Sequence, residues 1–325
     1  MNQCEQALQW AVEHLVFCGK SSIVNHQKVV QTSYSVVYKI ETTKGIVYLK
    51  QTPKELLPEP EMLSFLNKHG CKNIPKLLAE NKDLHCFIMH SCGDDSLRHL
   101  FKGQIDFNKL TLGILNYTKI QRLLESKVSQ LLALGIPDWR LDKFVSLYYQ
   151  LIQQNKLLMD DGLTEKEIDR LHQLYPTCSN LCEALLECKL PETINHCDFH
   201  ENNMLLDRKA GVINIIDWGE TVIAHPFFSL NGCLWNITHF YGLKQTDLMY
   251  SKLQAQCITA WLDLYDEAKL LKVLNIANQL NSVYAALAYE RMYIATRDQP
   301  RTVQQEHPGS IAGCLRSFLN INSTP

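Results

Sequence analysis

Apolar positions change period along the chain. In the opening twenty residues, Leu8, Ala11, Val12, Leu15 and Val16 fall at helical spacing and predict an amphipathic helix. The period then shortens to two. Val36, Tyr38 and Ile40 alternate along one strand, "TTKG" supplies a turn, and Ile46, Tyr48 and Lys50 alternate along the next. "PKELLPEPEMLSFLNKHG" predicts a Pro-bounded helix closed by Gly70, and "LHCFIM", residues 84–89, a further strand that ends at the polar "HSCGDDS". Beyond it the pattern turns helical. Ile120, Leu123, Leu124, Val128, Leu131 and Leu132 form one apolar stripe, and Phe144, Leu147, Tyr148, Leu151 and Ile152 a second. Thr164 and Glu167 form a capping-box pattern, and Leu270, Val273, Leu274, Ala277, Tyr284 and Leu287 continue the helical theme. Only "NMLLD" and "GVINIIDW" interrupt it, as two short strands around a turn at Gly211. There is no internal repeat and no low-complexity linker. The expected architecture is α+β and bilobal: a small β-rich lobe over residues 1–92, then a larger, mostly helical lobe over 93–325.

Composition narrows the classes. With Lys+Arg 32 against Asp+Glu 34 and a net charge of -2, the chain lacks the electrostatic footprint of a protein that binds nucleic acid or an anionic membrane surface. No segment has the uninterrupted apolar length of a membrane span, and Glu5 and Glu13 break up the first helix as a signal sequence. Twelve scattered cysteines then read as free thiols in the cytoplasm. Cys178, Cys182 and Cys188 lack an accompanying Cys-x-x-Cys, so structural zinc is not expected. The sequons at Asn116, Asn236 and Asn322 mean little without export.

The densest chemistry lies in "NHCDFHENNMLL", residues 195–206. Alone, such a stretch is a polar surface turn. Its setting is different: the strand "MLL" follows, then a turn, then "INIID" ending in Asp217. In a hairpin of this length both strand mouths open at one end, which brings Asp198, Asn203 and Asp217 together. Two carboxylates and an amide oxygen make a hard-oxygen site suited to Mg2+, whose octahedron waters and substrate phosphates complete.

"HCDFHENNMLL" with "INIIDW" resembles the catalytic signature of the aminoglycoside phosphotransferase and choline kinase superfamily, relatives of the protein kinase fold. The loop pattern His-x-Asp-x-His-x-x-Asn is filled by His196, Asp198, His200 and Asn203. The resemblance implies that Asp198 orients the acceptor hydroxyl and takes its proton, and that Asn203 and Asp217 hold Mg2+ against the phosphates of ATP or GTP. It implies a bracing role for His196. For His200, donation to the transferring phosphoryl group and stabilisation of the loop both stand.

The small lobe should then receive the nucleotide. Lys50 matches the phosphate-binding lysine of the third strand, and its partner is a helix glutamate, Glu59 by its distance from Phe65-Leu66, with Glu61 in reserve because Pro60 puts Glu59 at the helix edge. "QTSYSVVYKI" contains no glycine, unlike the protein kinase loop, but resembles the Ser-rich segment of the small-molecule kinases, so Ser33 and Ser35 are expected at phosphate. Met89 takes the gatekeeper position, and His90 to Cys92 the hinge that meets the base. The resemblance covers residues 194–230 closely and the small lobe loosely; Leu110 to Leu190 diverge, and Ser229 stands near a place where the family commonly has aspartate. For the acceptor, the late helical region offers Trp235, Phe240, Tyr241, Trp261, Tyr265, Tyr284, Tyr289 and Tyr293 with Asp263, Asp266 and Glu267, good company for a cationic amine. The leading expectation is phosphoryl transfer to a hydroxyl of a small, amine-bearing molecule. The alternatives are a protein kinase, disfavoured by the glycine-free loop and the lack of an Ala-Pro-Glu segment, and a kinase-fold binding module without turnover.

Overall fold

The period-two segments at the start of the chain build one antiparallel sheet. The computed structural model describes residues 3–53, 56 and 59–322; Lys54, Glu55, Leu57 and Pro58 in the proline-rich entry to the second helix lie outside them. Helix α1 (Gln3–Phe17) precedes strands β1 (Ile23–Gln31), β2 (Val36–Thr42) and β3 (Gly45–Gln51). Helix α2 (Glu59–Lys68), β4 (Leu77–Asn81) and β5 (Cys86–His90) complete the small lobe, and the sheet runs β1-β2-β3-β5-β4. Alternation sorts its faces. Ile40, Val47, Leu49, Cys86 and Ile88 are buried under Ala7, Ala11 and Leu15 of α1. Lys50, one residue on from Leu49, therefore points to the other face, toward α2. Val16, expected on the buried stripe of α1, is exposed, because the contact face narrows to alanines and Leu15.

The larger lobe starts with β6 (Asp95–Ser96) and α3 (Leu97–Phe101), followed by α4 (Phe107–Leu124), α5 (Val128–Ala133), α6 (Leu141–Ile152), α7 (Asn155–Asp160), α8 (Glu165–Gln173) and α9 (Tyr175–Glu187). Strands β7 (Thr193–His196), β8 (Met204–Asp207), β9 (Val212–Ile215) and β10 (Thr221–Ala224) then lead into α10 (Phe227–Tyr241), α11 (Leu248–Ile258), α12 (Glu267–Thr296), α13 (Val303–Glu306) and α14 (Ser310–Ile321). The capping box of Thr164 and Glu167 forms at the start of α8. The stripe expected over 120–132 is interrupted: α4 ends at Leu124, a tight turn over Glu125–Lys127 shifts the phase, and Leu123 is exposed. All twelve cysteines are free, and Cys178 and Cys182 pack in the core.

Helix α4 is the scaffold of the site. Its buried polar side chains hold strand backbone: Asn116 donates to Ile213 O at 2.9 Å, and Gln121 donates to both Ile194 O and Pro226 O at 3.0 Å. Asn116 is thereby a structural residue rather than a surface sequon. The hairpin of β8 and β9 forms as expected, with Met204 paired to Ile215. Sequence patterning missed β7 and β10, which have four residues each and no turn between them; they pair antiparallel, Thr221 opposite His196. Ser229 anchors this second pair. It donates from Oγ to Asn195 Oδ1 at 2.7 Å and accepts from the Tyr117 hydroxyl at 2.9 Å, which itself accepts from His196 N at 2.9 Å. At the place where the family commonly has aspartate, the Ser229 hydroxyl thus joins β7 to Tyr117 of α4.

His225 is fully buried beside Phe227 and Phe228, and burial pushes its imidazole pKa down to about 3. An unfolded histidine titrates near ~6.5. Between these values the unfolded chain binds a proton that the folded chain refuses, so stability contributed by neutral His225 is lost as pH falls from ~6.5 toward 3. His225→Leu is expected to make the fall of the urea-unfolding free energy over that window shallower by up to one proton; an unchanged slope would show that the folded protein accommodates the charge.

Candidate active site

A buried ammonium joins the lobes. Lys50 Nζ lies 2.5 Å from Glu59 Oε2 and 2.5 Å from Asp217 Oδ1. Burial alone would lower the lysine pKa, but the two carboxylates outweigh it and hold the charge on. Glu59 begins α2, ahead of Pro60, a residue suited to a first helical turn. The structure thus brings Glu59, not Glu61, to Lys50; Glu61 pairs with Lys82 instead. Asp217 adopts a left-handed conformation, φ 65°, which the short polar side chain of aspartate tolerates. That reversal turns Trp218 N toward Glu59 Oε1, 3.0 Å away. One helix of the small lobe is therefore bonded directly to the backbone just past β9, and through Lys50 to the Asp217 side chain.

The loop after β7 is wired internally. His196 is fully buried; its Nε2 meets Ile216 O at 2.8 Å and its Nδ1 accepts from Asp198 N at 3.2 Å. A carbonyl on one nitrogen and an N–H on the other fix a neutral ring with the proton on Nε2. Burial lowers its pKa in the same sense. His200 repeats the arrangement: Nδ1 accepts from Asn202 N at 3.1 Å, and Nε2 reaches Asp198 Oδ1 at 2.9 Å. In this structure His200 is thus engaged with the loop and with Asp198. Asn203 donates from Nδ2 to Asp198 Oδ2 at 2.8 Å and to Asp198 O at 2.9 Å. Burial would raise the Asp198 pKa, but hydrogen bonds from His200 and Asn203 hold it below the usual carboxylate range.

With its amide nitrogen on Asp198, Asn203 has its oxygen as the remaining donor atom, and Ile216 N bonds Asn203 O at 3.0 Å, so the two strand mouths do meet. Asp217 keeps a third of its side chain exposed. An amide oxygen and a carboxylate suit a hard cation such as Mg2+ whose other ligands come from phosphates and water. Among the described residues there is no cluster of three or more His, Cys, Asp or Glu side chains arranged for a metal.

Other predicted site residues have partners within the chain. Ser33 donates to Glu306, and Ser35 is buried with its carbonyl accepting from Thr32 N. At the hinge, His90 N donates to Lys76 O, and the Cys92 carbonyl accepts from the Asn214 side chain. Of the acceptor-side aromatics, Trp261 and Tyr284 are core residues, Asp263 pairs with Arg122, and Asp266 caps α12. Trp235 and Phe240 are exposed, and Phe240 carries Arg98 over its ring. Glu220 lies in the electrostatic field of Asp198 and Asp217: burial first, then those two carboxylates, push its pKa up to about 8, and the same carboxylates bear on Tyr34. Glu220 was legible in "DWGE": in a tight three-residue turn, positions three apart eclipse. Glu201, also unforeseen, is buried with Arg98 and Tyr241 on one oxygen.

This arrangement stands on a sheet-plus-helix frame shared with known phosphotransferases. Residues 27–271 match the phosphotransferase enzyme family, and the chain belongs to that family. No curated protein sequence matches it significantly. Solved structures match its fold at low identity. They include the Plasmodium vivax ethanolamine kinase (11% identity, TM-score 0.59, covering 97% of this chain and 87% of that one). The GDP and kanamycin complex of APH(2")-IIia matches at 15% identity and TM-score 0.61, over 97% and 100% of the two chains. Choline kinase LicA from Streptococcus pneumoniae matches at 10% identity and TM-score 0.60, over 98% and 100%. The fold is bilobal and protein-kinase-like. Among the described residues no helix is long and apolar enough to cross a membrane.

Glu59 is almost fully buried, so removing Lys50 alone leaves a stranded charge. Lys50→Met is expected to cost about 3–5 kcal/mol of unfolding free energy. Lys50→Met combined with Glu59→Gln should recover part of that loss in the same urea titration.

Proposed function

We propose that the protein transfers the γ-phosphoryl group of ATP or GTP to a hydroxyl of a small, amine-bearing molecule. The observation that carries this reading is the convergence of Asp198, Asn203 and Asp217 at one end of the hairpin, under a lysine already fixed by Glu59. Asn203 and Asp217 would hold Mg2+, which when bound neutralises charge on the nucleotide phosphates. Lys50 has a permanent positive charge to offer the same phosphates once they displace Asp217 from it. Nucleotide use agrees with the GDP held by one neighbour, and the hinge from His90 to Cys92 is where the base would dock.

Asp198 is suited to orientation more than to early proton removal. Both its oxygens accept hydrogen bonds, its basicity is low, and about half of the side chain remains exposed. A weak base is adequate where bonding to the entering oxygen develops late and the hydroxyl proton is acidified only then. In that step the acceptor oxygen bonds to the γ-phosphorus, the bond to the β-bridging oxygen breaks, and the hydroxyl proton passes to Asp198. His196 and His200 keep the carboxylate aimed. The carboxylates of Asp198 and Asp217, in whose field Tyr34 lies, favour a cationic acceptor. Neighbours that are choline and ethanolamine kinases are consistent with this choice, and the free cysteines with action in the cytoplasm.

Transfer from ATP and GTP to a panel of choline, ethanolamine, amino alcohols and aminoglycosides tests the reading. Asp198→Asn should lower kcat by about 10²–10⁴-fold while Mg-nucleotide affinity stays nearly constant. Normal turnover in that variant would remove Asp198 from its role.

A further inference from the structure

The turn between β1 and β2 is closed by bonds from Thr32 N and Oγ1 to Ser35 O, at 2.9 and 3.3 Å. At its tip, Ser33 presents two donors suited to an anion, a backbone N–H and a hydroxyl. Both are occupied by a carboxylate from the far end of the chain. Ser33 N lies 3.0 and 3.2 Å from the two oxygens of Glu306, and Ser33 Oγ donates to Oε2 at 2.8 Å. Only 10% of the Glu306 side chain is exposed, and Arg301 flanks it at 3.3 Å.

The large-lobe half of this contact is firmly built. Helix α13, which ends in Glu306, starts with a capping box between Thr302 and Gln305. Val303 N donates to the buried Thr296 Oγ1 at 2.9 Å. The carbonyl of His307 accepts from the Tyr293 hydroxyl at 2.7 Å, and that hydroxyl also reaches Asp161, which binds Gly309 N and Ala312 N. The small-lobe half is a four-residue turn. Next to Ser33, Tyr34 lies in the electrostatic field of Asp198, Asp217, Glu220 and Lys50. Lys50 in turn holds Asp217.

We propose that the C-terminal segment is an autoinhibitory clasp: Glu306 takes the donors with which Ser33 would receive a nucleotide phosphate, and so holds the turn against the large lobe. This rests on the phosphotransferase reading. A carboxylate and a phosphate compete for the same two donors and repel each other, so nucleotide entry and clasp release are one event. By reciprocity, nucleotide loosens the C-terminal segment as much as release of that segment favours nucleotide.

The experiment measures the affinity of Mg-ADP and Mg-GDP for wild type and Glu306→Gln by calorimetry. A clasp shut in roughly nine molecules of ten weakens apparent binding about tenfold, so the variant should bind about 3- to 10-fold more tightly. Unchanged or weaker binding in Glu306→Gln overturns the clasp and leaves the phosphotransferase reading standing. Absence of binding in both proteins removes that reading and the clasp with it. In wild type, independent of any variant, saturating nucleotide should speed hydrogen exchange of the amides over Val303–His307; slower or unaltered exchange overturns the proposal.

Discussion

A lysine deprived of water is the constraint on which the architecture depends. Lys50 keeps its charge in the interior because carboxylates from two lobes meet it, Glu59 from the small lobe and Asp217 from the large one. An ammonium in this position is costly without both. The helix bearing Glu59 must therefore sit against the end of β9, and the second oxygen of Glu59 on Trp218 N completes the attachment. Interlobe geometry is set by charge satisfaction as much as by the hydrophobic core that the lobes share.

Below this junction, the polar groups of the large lobe act as spacers of fixed length. Gln121, Tyr117 and Ser229 are buried and each bonds β7, which leads to the loop from His196 to Asn203, while buried Asn116 bonds β9, which leads to Asp217. A fully apolar core could slide by a fraction of an ångström at little cost; a satisfied polar network cannot, because each shift would strand a buried donor or acceptor. The loop carries its own bracing in the two histidines. The Asp198 carboxylate is consequently positioned from three directions: its backbone N–H donates to His196, His200 meets one oxygen, and Asn203 the other.

The sheet-then-helices order, the β8–β9 hairpin and the family itself were legible in the sequence. So was the grouping of Asp198, Asn203 and Asp217, since hairpin geometry and strand length suffice to place them. The choice between Glu59 and Glu61 was not, because it depends on how α2 docks. Strands β7 and β10 are no shorter than β8 and β9, but no tight turn joins them, so they lacked the hairpin signal that revealed the other pair. Ser33 shows the wider limit. Its residue type suits an anion, and an anion is what it meets, but one supplied by Glu306 across 273 positions of sequence. Local pattern identifies the kind of partner a group wants and carries no information on a competitor so distant. The acceptor-side aromatics divided too, Trp261 and Tyr284 into the core and Trp235 and Phe240 to the surface, because helical spacing alone does not tell a core face from an exposed one.

Asn214 holds the Cys92 carbonyl where the chain passes between lobes, and three residues later the same run of chain arrives at Asp217. Close by, a side chain on Gly93 would fall 2.5 Å from Leu205 Cβ, so the crossover is pressed onto β8 as well. An extended segment of that length is a stiff strut of about 10 Å. Any swing of the small lobe about the crossover therefore tugs on the strut, and the carboxylate at its far tip moves in step: opening angle and active-site spacing form one mechanical coordinate instead of two.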